Sequence, residues 1–231
     1  MQKILAAACA TTLVMMGCSK KTEAPPAEGT EAPAAELTSP ATTSSAQEPA
    51  PAVEPSEAER ERAQKQALLD YSTMEDKYIN DPRAQWAVAA TASSSFGDAS
   101  KEPPGSQASS TPWQATGPPN GSPWTNNNQD IGFDWLEASF ARPVAATEVR
   151  VVMSGSIVGT VSKLELVDTD GKYHDVWAGI DETRPDDRGS RTWFVRTFAA
   201  TPYKAAGVKI TVANAMNTGY KEIDALQIVG D

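Results

Sequence analysis

The stretch Gly132–Met153 constrains the fold of this chain most, because apolar and polar side chains alternate along it in two successive runs. The first run extends from Leu136 to Phe140, and the second extends from Ala145 to Val152. A period of two is typical of a β-strand with one buried face. Arg142-Pro143 separates the runs, and proline has no amide hydrogen to donate to a ladder. The stretch therefore predicts two strands joined at a proline corner.

Six further segments predict short strands, and no second helical period separates them. Asp170-Gly171 lies between two of these segments and indicates a tight hairpin turn. About eight short, regularly spaced strands are typical of two packed sheets, so we expect an all-β sandwich. The six predicted strands are Trp86–Ala92, Val161–Val167, Tyr173–Ala178, Thr192–Phe198, Gly207–Ala213 and Ile223–Val229.

Charge and cysteine content exclude several classes of function. The 231 residues carry a formal net charge of −10, which argues against binding to nucleic acid, whose phosphates need a basic surface. The two cysteines, Cys9 and Cys18, both lie at the N-terminus. The predicted β domain therefore has no disulfide, no thiolate metal site and no cysteine nucleophile.

The N-terminus has the features of a targeting segment. A basic start precedes an apolar run, Ile4–Met16, that is too short to span a bilayer as a helix. Met15-Met16-Gly17-Cys18 resembles the lipobox of bacterial lipoproteins, with Met15 and Met16 as mild departures. The resemblance implies a signal peptide over residues 1–17 and a lipid on Cys18 that attaches the chain to a membrane. By resemblance to enterobacterial lipoprotein sorting, Ser19 in place of an aspartate after the cysteine implies the outer membrane. The alternative is an ordinary secretory signal in which Cys18 is incidental.

A tether and a helix follow the signal. Residues 18–55 consist largely of Ala, Pro, Glu, Thr and Ser, which cannot bury enough apolar surface to order the chain, so we expect a disordered tether. Ser56 and Glu59 form a capping-box pattern that predicts a helix within residues 56–81, ended by Pro82. One apolar stripe runs along it, so the helix either lies against the β domain, or extends the tether as a stiff segment, or binds a partner, for example in a coiled coil.

Beyond the helix, six segments in a characteristic order along the chain resemble a known family. The series resembles a discoidin-type, galactose-binding-like domain over residues 85–231, the jelly-roll sandwich of coagulation-factor C-type modules and of many bacterial carbohydrate-binding modules. The resemblance implies a non-catalytic domain that binds sugars, lipids or proteins through loops at one end. The segments are Trp86–Ser94, Trp113–Asn120, Asp134–Phe140, Lys163–Asp168, Val176–Gly179 and Glu222–Gly230.

The same resemblance implies a structural calcium near the start of the last strand. Glu222 and Asp224 share one face of that strand, and Asp98 and Asn120 would supply further oxygens. If Leu226 and Ile228 share that face with them in the core, the two carboxylates need a cation or another partner. If the opposite face is buried, both acids are solvated.

Aromatic and polar loop residues are the candidates for ligand binding. Sugar sites combine an aromatic platform with a few directed hydrogen bonds. The alternative is that the tryptophans cap the ends of the sandwich. The candidates are Trp113, Trp124, Asn126, Arg184, Arg188 and Tyr220.

No catalytic motif accompanies these candidates. The single histidine, His174, follows the Asp170-Gly171 turn without a visible partner, so we expect an exposed hairpin residue. The sequence therefore predicts a lipid-anchored, non-enzymatic protein of the bacterial envelope that binds a glycan. The alternative is a module that docks an envelope protein.

Overall fold

The computed structural model describes residues 54–231. The predicted signal peptide, the predicted lipidation site Cys18 and almost all of the predicted tether lie outside these residues. The described part begins with one helix, α1 (Glu57–Ile79), and short 3-10 turns occur at 97–101, 112–115 and 214–216. The strands are β1 (Ala84–Trp86), β2 (Ala89–Ala92), β3 (Trp124–Thr125), β4 (Phe133–Val144), β5 (Ala146–Gly155), β6 (Val161–Asp168), β7 (Tyr173–Ala178), β8 (Thr192–Thr197), β9 (Ala205–Ala213) and β10 (Lys221–Gly230).

The strands form two antiparallel sheets of five strands each. Sheet A has the order β1-β10-β5-β8, with β3 also paired to β10, and sheet B has the order β2-β4-β9-β6-β7. Their inner faces enclose one apolar core of aliphatic and aromatic side chains, among them Leu136, Val151, Ile210 and Leu226. The prediction of an all-β sandwich is confirmed.

One predicted strand is divided between the two sheets. The sequence suggests a single strand over Trp86–Ala92, but β1 ends at Trp86 and β2 begins at Ala89. The amide of Ala87 donates to Leu226 in sheet A, and the next amide, Val88, donates to Ser139 in sheet B. The chain therefore changes sheet at two adjacent residues, which alternation of side chains along the sequence does not reveal.

The proline corner is confirmed. The ladder between β4 and β9 is interrupted between Ser139 and Val144, and Pro143 lies within that interruption. β5 begins two residues after Val144 and pairs in the other sheet, with β10 and β8. The missing amide hydrogen of Pro143 therefore falls where no regular ladder bond is made.

The helix α1 packs against the outer face of sheet A, which confirms the interpretation that it lies on the β domain. Ser56 forms the predicted capping box with Glu59. Near the other end, Tyr78 packs with Trp193 in a small apolar cluster that lies between α1 and sheet A. The buried guanidinium of Arg150 lies over the Tyr78 ring and pairs with Asp81 at 2.9 Å. No helix in residues 54–231 is both long and apolar enough to cross a membrane.

The long loops lie at one end of the sandwich. The register pairs Lys221 with Gly155 and Phe133 with Ala213, so the loops 93–132, 156–160, 179–191 and 214–220 all emerge from the same end. Tyr71 of α1 contacts Arg191 in one of these loops. Residues 57–66 of the helix are exposed and continue away from Tyr71 in the direction opposite to Tyr78. The N-terminus of α1 therefore points to the loop end.

Candidate functional site

A cleft of about 290 Å³ lies between β2 and the loop 97–113, and we call it the β2 cleft. Seven of its lining residues carry hydroxyl groups, from Thr91 to Thr111. Trp113 contributes the one aromatic ring and Glu102 the one charged group among the lining residues. The cleft therefore combines hydroxyl groups with apolar alanine and proline side chains and one aromatic platform.

The edge strand β2 adds main-chain groups to the cleft. The Ser93 amide donates to the Trp135 carbonyl, and the register pairs Thr91 with Glu137. Alternate residues of an antiparallel strand direct their N–H and C=O groups to opposite sides. The main-chain groups of Ala90 and Ala92 therefore point away from β4 and toward the cleft, where both residues are part of the lining.

A buried carboxylate holds the floor of the β2 cleft in place. Asp134 lies on the core side of β4 and accepts hydrogen bonds from the hydroxyls of Ser93 and Ser94, at 2.6 and 2.8 Å. The other carboxylate oxygen accepts from amide groups of three asparagines at 2.8 to 3.1 Å: Asn126, Asn128 and Asn214. This one side chain thus links the cleft to the loops 126–128 and 214–220.

The hydrogen bonds also decide the ionisation of Asp134. Burial alone would raise the pKa of this carboxyl group, but the bonds from Ser93, Ser94, Asn126 and Asn214 lower the pKa below its ordinary value. Five donors converge on the two oxygens, and a carboxylate that accepts several hydrogen bonds is favoured in its charged form. Asp134 is therefore ionised at neutral pH and serves as a structural anchor.

Lys221 supplies a buried cation at the start of β10. Its Nζ donates to the carbonyl oxygens of Gln129, Asn217 and Gly219 at 2.8, 2.7 and 2.5 Å. Burial lowers the pKa of Lys221, while Asp130 and Asp134 oppose that shift. Three acceptors require three N–H donors, which only the charged ammonium form provides. The lysine therefore joins two loops of the loop end through its charge.

Two of the predicted ligand-binding residues belong to the core instead. Trp124 in β3 has no exposed surface, and its indole N–H donates to the Ser94 carbonyl at 3.0 Å. Asn126 is also fully buried, and its side-chain oxygen accepts the Lys221 amide at 2.7 Å. The expectation that both are exposed loop residues is wrong, because β3 pairs with β10 and carries this segment inward.

The other four candidates lie apart on the surface. Trp113 is half-buried in the β2 cleft. Arg184 is exposed in the loop 179–191, and Arg188 in the same loop forms a double hydrogen bond with Asp186. Tyr220 packs edge-on against Phe96, with 4.7 Å between the ring centroids. Of these four, only Trp113 lines the β2 cleft.

The four predicted calcium ligands do not form one shell of oxygens. The Asp98 side chain is 90% exposed and pairs with Lys101, whereas Asp224 is buried. The Asp224 carboxylate accepts the amides of Asn120 and Gly121 at 3.0 to 3.1 Å, and Arg191 lies 3.8 Å away. Within residues 54–231, no three His, Cys, Asp or Glu side chains are grouped to hold a metal. Calcium stays a prediction that unfolding midpoints measured with calcium and with chelator can test.

A β-bulge explains why neither sequence alternative for the last strand describes it. The register of β10 shifts between Ile223 and Ala225, which leaves Asp224 as the extra residue. Ile223 faces the core before the bulge, and Leu226 and Ile228 face it afterwards. Asp224 is therefore neither a core-facing acid of a regular strand nor a solvated one. Its partners are loop amides.

His174 is not the exposed residue that the sequence predicts. Its ring stacks on Tyr203 with 3.8 Å between centroids, and Nε2 lies 2.7 Å from Asp168 Oδ2. Asp168 also accepts the amides of Asp170 and Lys172 in the hairpin turn. The histidine therefore stabilises a turn at the end of the sandwich opposite to the loops.

Solved carbohydrate-binding modules are similar to this chain at low sequence identity. The family 32 module of NanJ from C. perfringens, in complex with galactose, has 17% identity and a TM-score of 0.46, and the match covers 63% of this chain and 98% of that chain. A chitosan-binding module from Paenibacillus sp. IK-5 has 16% identity and a TM-score of 0.45, and the match covers 61% of this chain and 93% of that chain. CpGH89CBM32-5 from Clostridium perfringens, in complex with GalNAc-β-1,3-galactose, has 14% identity and a TM-score of 0.45. The match covers 66% of this chain and 99% of that chain. No protein-family model and no curated protein matches the chain.

Sequence reasoning missed most of the β2 cleft. Ala90, Ala92, Glu102 and the serines of the loop 93–106 have no motif, and their proximity depends on a loop that returns to an edge strand. One signal was present: Pro103-Pro104-Gly105 marks a turn within a serine-rich segment directly after a predicted strand. Such a segment indicates a loop beside that strand, although not the shape of the cleft.

Proposed function

We propose that this protein is a non-catalytic carbohydrate-binding protein that takes its ligand in the β2 cleft and is held at a bacterial envelope membrane by a lipid on Cys18. The observation that carries the proposal is the lining of the cleft. Trp113 offers a ring for the apolar face of a sugar, and the exposed Thr91 hydroxyl, the Glu102 carboxylate and the free edge of β2 offer hydrogen bonds. This combination is typical of sugar recognition.

The size and charge of the β2 cleft define the ligand further. About 290 Å³ is near the lower end of the range for small-molecule pockets, roughly 300 to 1,000 Å³, and suits one or two sugar rings. Glu102 is the only carboxylate among the lining residues. Glycoside hydrolysis generally uses two carboxyl groups that flank the bond. These features support binding of a short, neutral or cationic saccharide end without hydrolysis.

The predicted tether gives this binding a cellular context. Residues 18–55 would let the domain move tens of ångströms from the membrane while it stays attached. A lipid-anchored domain of this kind would hold a glycan of the envelope close to the outer membrane. The resemblance to galactose-binding-like domains, noted from the sequence, supports the same reading.

Glycan-array screening followed by calorimetry tests the proposal. We expect a saturable signal with at least one saccharide, and its loss in Trp113→Ala. Phe96→Ala removes an exposed aromatic side chain of the loop end that does not line the cleft, so this control should bind like the unmodified protein. An array without signal, or equal binding by Trp113→Ala, would refute the proposal.

One observation favours the alternative, a protein-docking module. Leu68 and Leu69 are consecutive residues of α1 and are 55% and 60% exposed, beyond the part of the helix that packs on sheet A. Cross-linking in native membranes followed by pull-down separates the two functions. A stoichiometric partner that is lost in Leu68→Ser/Leu69→Ser supports docking, and elution of the protein by a sugar supports carbohydrate binding.

A further inference from the structure

The outer face of sheet B carries exposed aromatic side chains. Phe133 and Trp135 lie at alternate positions of β4, and Tyr173 lies on the edge strand β7. Phe133 is 66% exposed, Tyr173 is 45% exposed and Trp135 is half-buried. The outer face of sheet A, by contrast, is covered by α1. We call Phe133, Trp135 and Tyr173 the aromatic face.

The ring of Tyr173 lies across the sheet. Its hydroxyl donates to Glu137 Oε2 at 2.8 Å, although β6 and β9 separate β7 from β4. Three strand spacings amount to roughly 14 Å in a flat sheet, so the two side chains meet only if both lie along the face. Gly207 of β9 lies on the register line that runs from Tyr173 through Val167, and it places no side chain under the phenol.

The ammonium group of Lys209 contacts the rings of both Trp135 and Tyr173. Its Nζ lies 4.5 Å from the centroid of Trp135 and 5.0 Å from that of Tyr173. An ammonium group at these distances is attracted by the negative face of each ring. The two rings are therefore held in one fixed arrangement, which reduces the entropy that a ligand must overcome on binding.

The charges around the aromatic face favour a neutral ligand. Lys163 pairs with both Glu165 and Asp175, at 2.7 and 2.8 Å, and Glu137 accepts the Tyr173 hydroxyl. Three carboxylates and two ammonium groups thus surround the rings, which opposes binding of a polyanion. The core of a protein interface is usually depleted of charged residues, so this charged face is a poor match for a protein partner.

We propose that the aromatic face is a second carbohydrate-binding surface, which takes an extended chain of a neutral polysaccharide. Sugar rings would stack their C–H faces on Trp135 and Tyr173, and their hydroxyl groups would reach Lys209, Glu137 and Asp175. The β2 cleft takes a short saccharide, whereas this open face accommodates several consecutive rings. This inference rests on residues other than those of the proposed function and can fail separately from it.

Affinity electrophoresis of the full chain tests the proposal, with native gels that contain galactomannan, laminarin or dextran. We expect at least one of these polysaccharides to retard the protein. Trp135→Ala and Tyr173→Ala should each lower the affinity for the polysaccharide about tenfold, the loss expected for one stacking contact. The retardation of each variant should be weaker accordingly. Tyr173→Phe keeps the ring but loses the bond to Glu137, so it should fall between Tyr173→Ala and the unmodified protein.

Two controls separate this surface from the β2 cleft and from misfolding. Trp113→Ala should lose binding of short saccharides in calorimetry and keep the retardation by polysaccharide. Circular dichroism and unfolding midpoints should be unchanged in Trp135→Ala, because this side chain lies outside the core. The proposal is overturned if none of the three polysaccharides retards the protein, or if Trp135→Ala and Tyr173→Ala migrate like the unmodified chain.

Discussion

The ring of Tyr71 occupies the space beside Gly189, where a Cβ atom would lie only 2.2 Å from Tyr71 Cε1 and Cζ. The Tyr71 hydroxyl donates to the Arg191 carbonyl at 2.9 Å and lies 3.2 Å from the Arg191 amide, which donates to it. The Arg191 side chain in turn bonds to Glu75 of α1 at 3.1 Å. The helix and the loop 179–191 are therefore fastened together by contacts that a side chain at position 189 would prevent.

Gly189→Ala should displace Tyr71 and destabilise the protein. Overpacking of this kind costs about 1–3 kcal/mol, and urea unfolding would measure it. Ser190→Ala changes the adjacent exposed residue and should have little effect. Tyr71→Ala/Gly189→Ala should lose less stability than the sum of the single variants, because the small side chain at 71 leaves room for the new methyl group. An additive pair would contradict the contact.

Lys221→Met should destabilise the loop end. The substitution keeps the apolar stem but leaves the carbonyls of Gln129, Asn217 and Gly219 without their donor. Loss of hydrogen bonds to a charged group costs about 2–4 kcal/mol, which chemical denaturation would detect. Lys172→Met, at an exposed position in the hairpin turn, is the matched control and should unfold like the unmodified protein.

Asp134 makes the free energy of unfolding depend on pH in the acid range. The folded-state pKa of this carboxyl group is lowered, so its contribution is complete above its unfolded-state pKa, near 4, and is lost as pH falls through the folded-state pKa. We expect the free energy of unfolding to fall steeply below about pH 4.

Asp134→Asn should flatten this pH dependence and lower stability at neutral pH by about 2–3 kcal/mol, because an amide places donors against the donors of Asn126 and Asn214. Denaturation curves at several pH values would measure both effects. A variant with the unmodified slope would show that other carboxyl groups control acid unfolding.

Trp124→Ala distinguishes a core residue from a ligand contact. Removal of a fully buried tryptophan costs about 3–5 kcal/mol, so we expect a large fall in the unfolding midpoint. Trp113→Ala should change the midpoint far less, since its ring is half exposed. A stable Trp124→Ala variant that lost only sugar binding would restore the sequence-based expectation for this residue.

Cys18→Ala should release the protein from membranes if the lipid proposal is correct. Stable anchoring needs acyl chains, which the lipobox resemblance places on this residue. Fractionation of cells and labelling with a palmitate analogue would measure it, with Cys9→Ala as the control. Membrane retention and labelling of Cys18→Ala would refute the lipid anchor.

Features that depend on neighbouring residues could be predicted from the sequence. Alternation identified β4 and β5 on either side of Pro143, and the Ser56–Glu59 pattern located the start of α1. The turn at Asp170-Gly171 followed from its residue types. Each of these features is local, because the period of a strand, the cap of a helix and the geometry of a turn involve only a few consecutive residues.

Features that depend on distant partners could not be predicted in this way. Whether Trp124 is exposed depends on the pairing of β3 with β10, about 100 residues later. The role of Asp224 depends on a bulge and on the amides at 120–121, and the β2 cleft depends on a loop returning to an edge strand. The same residue types would be compatible with exposure or burial in a different pairing.

The sequence by itself therefore determined the class of fold, the number and order of most strands, and the acidic character that disfavours nucleic acid. Only the tertiary structure decided which tryptophans are core and which are surface, which carboxylates are anchors, and where a ligand finds an open cleft. The physical reason is that burial and hydrogen-bond partners are set by contacts between residues far apart in the chain.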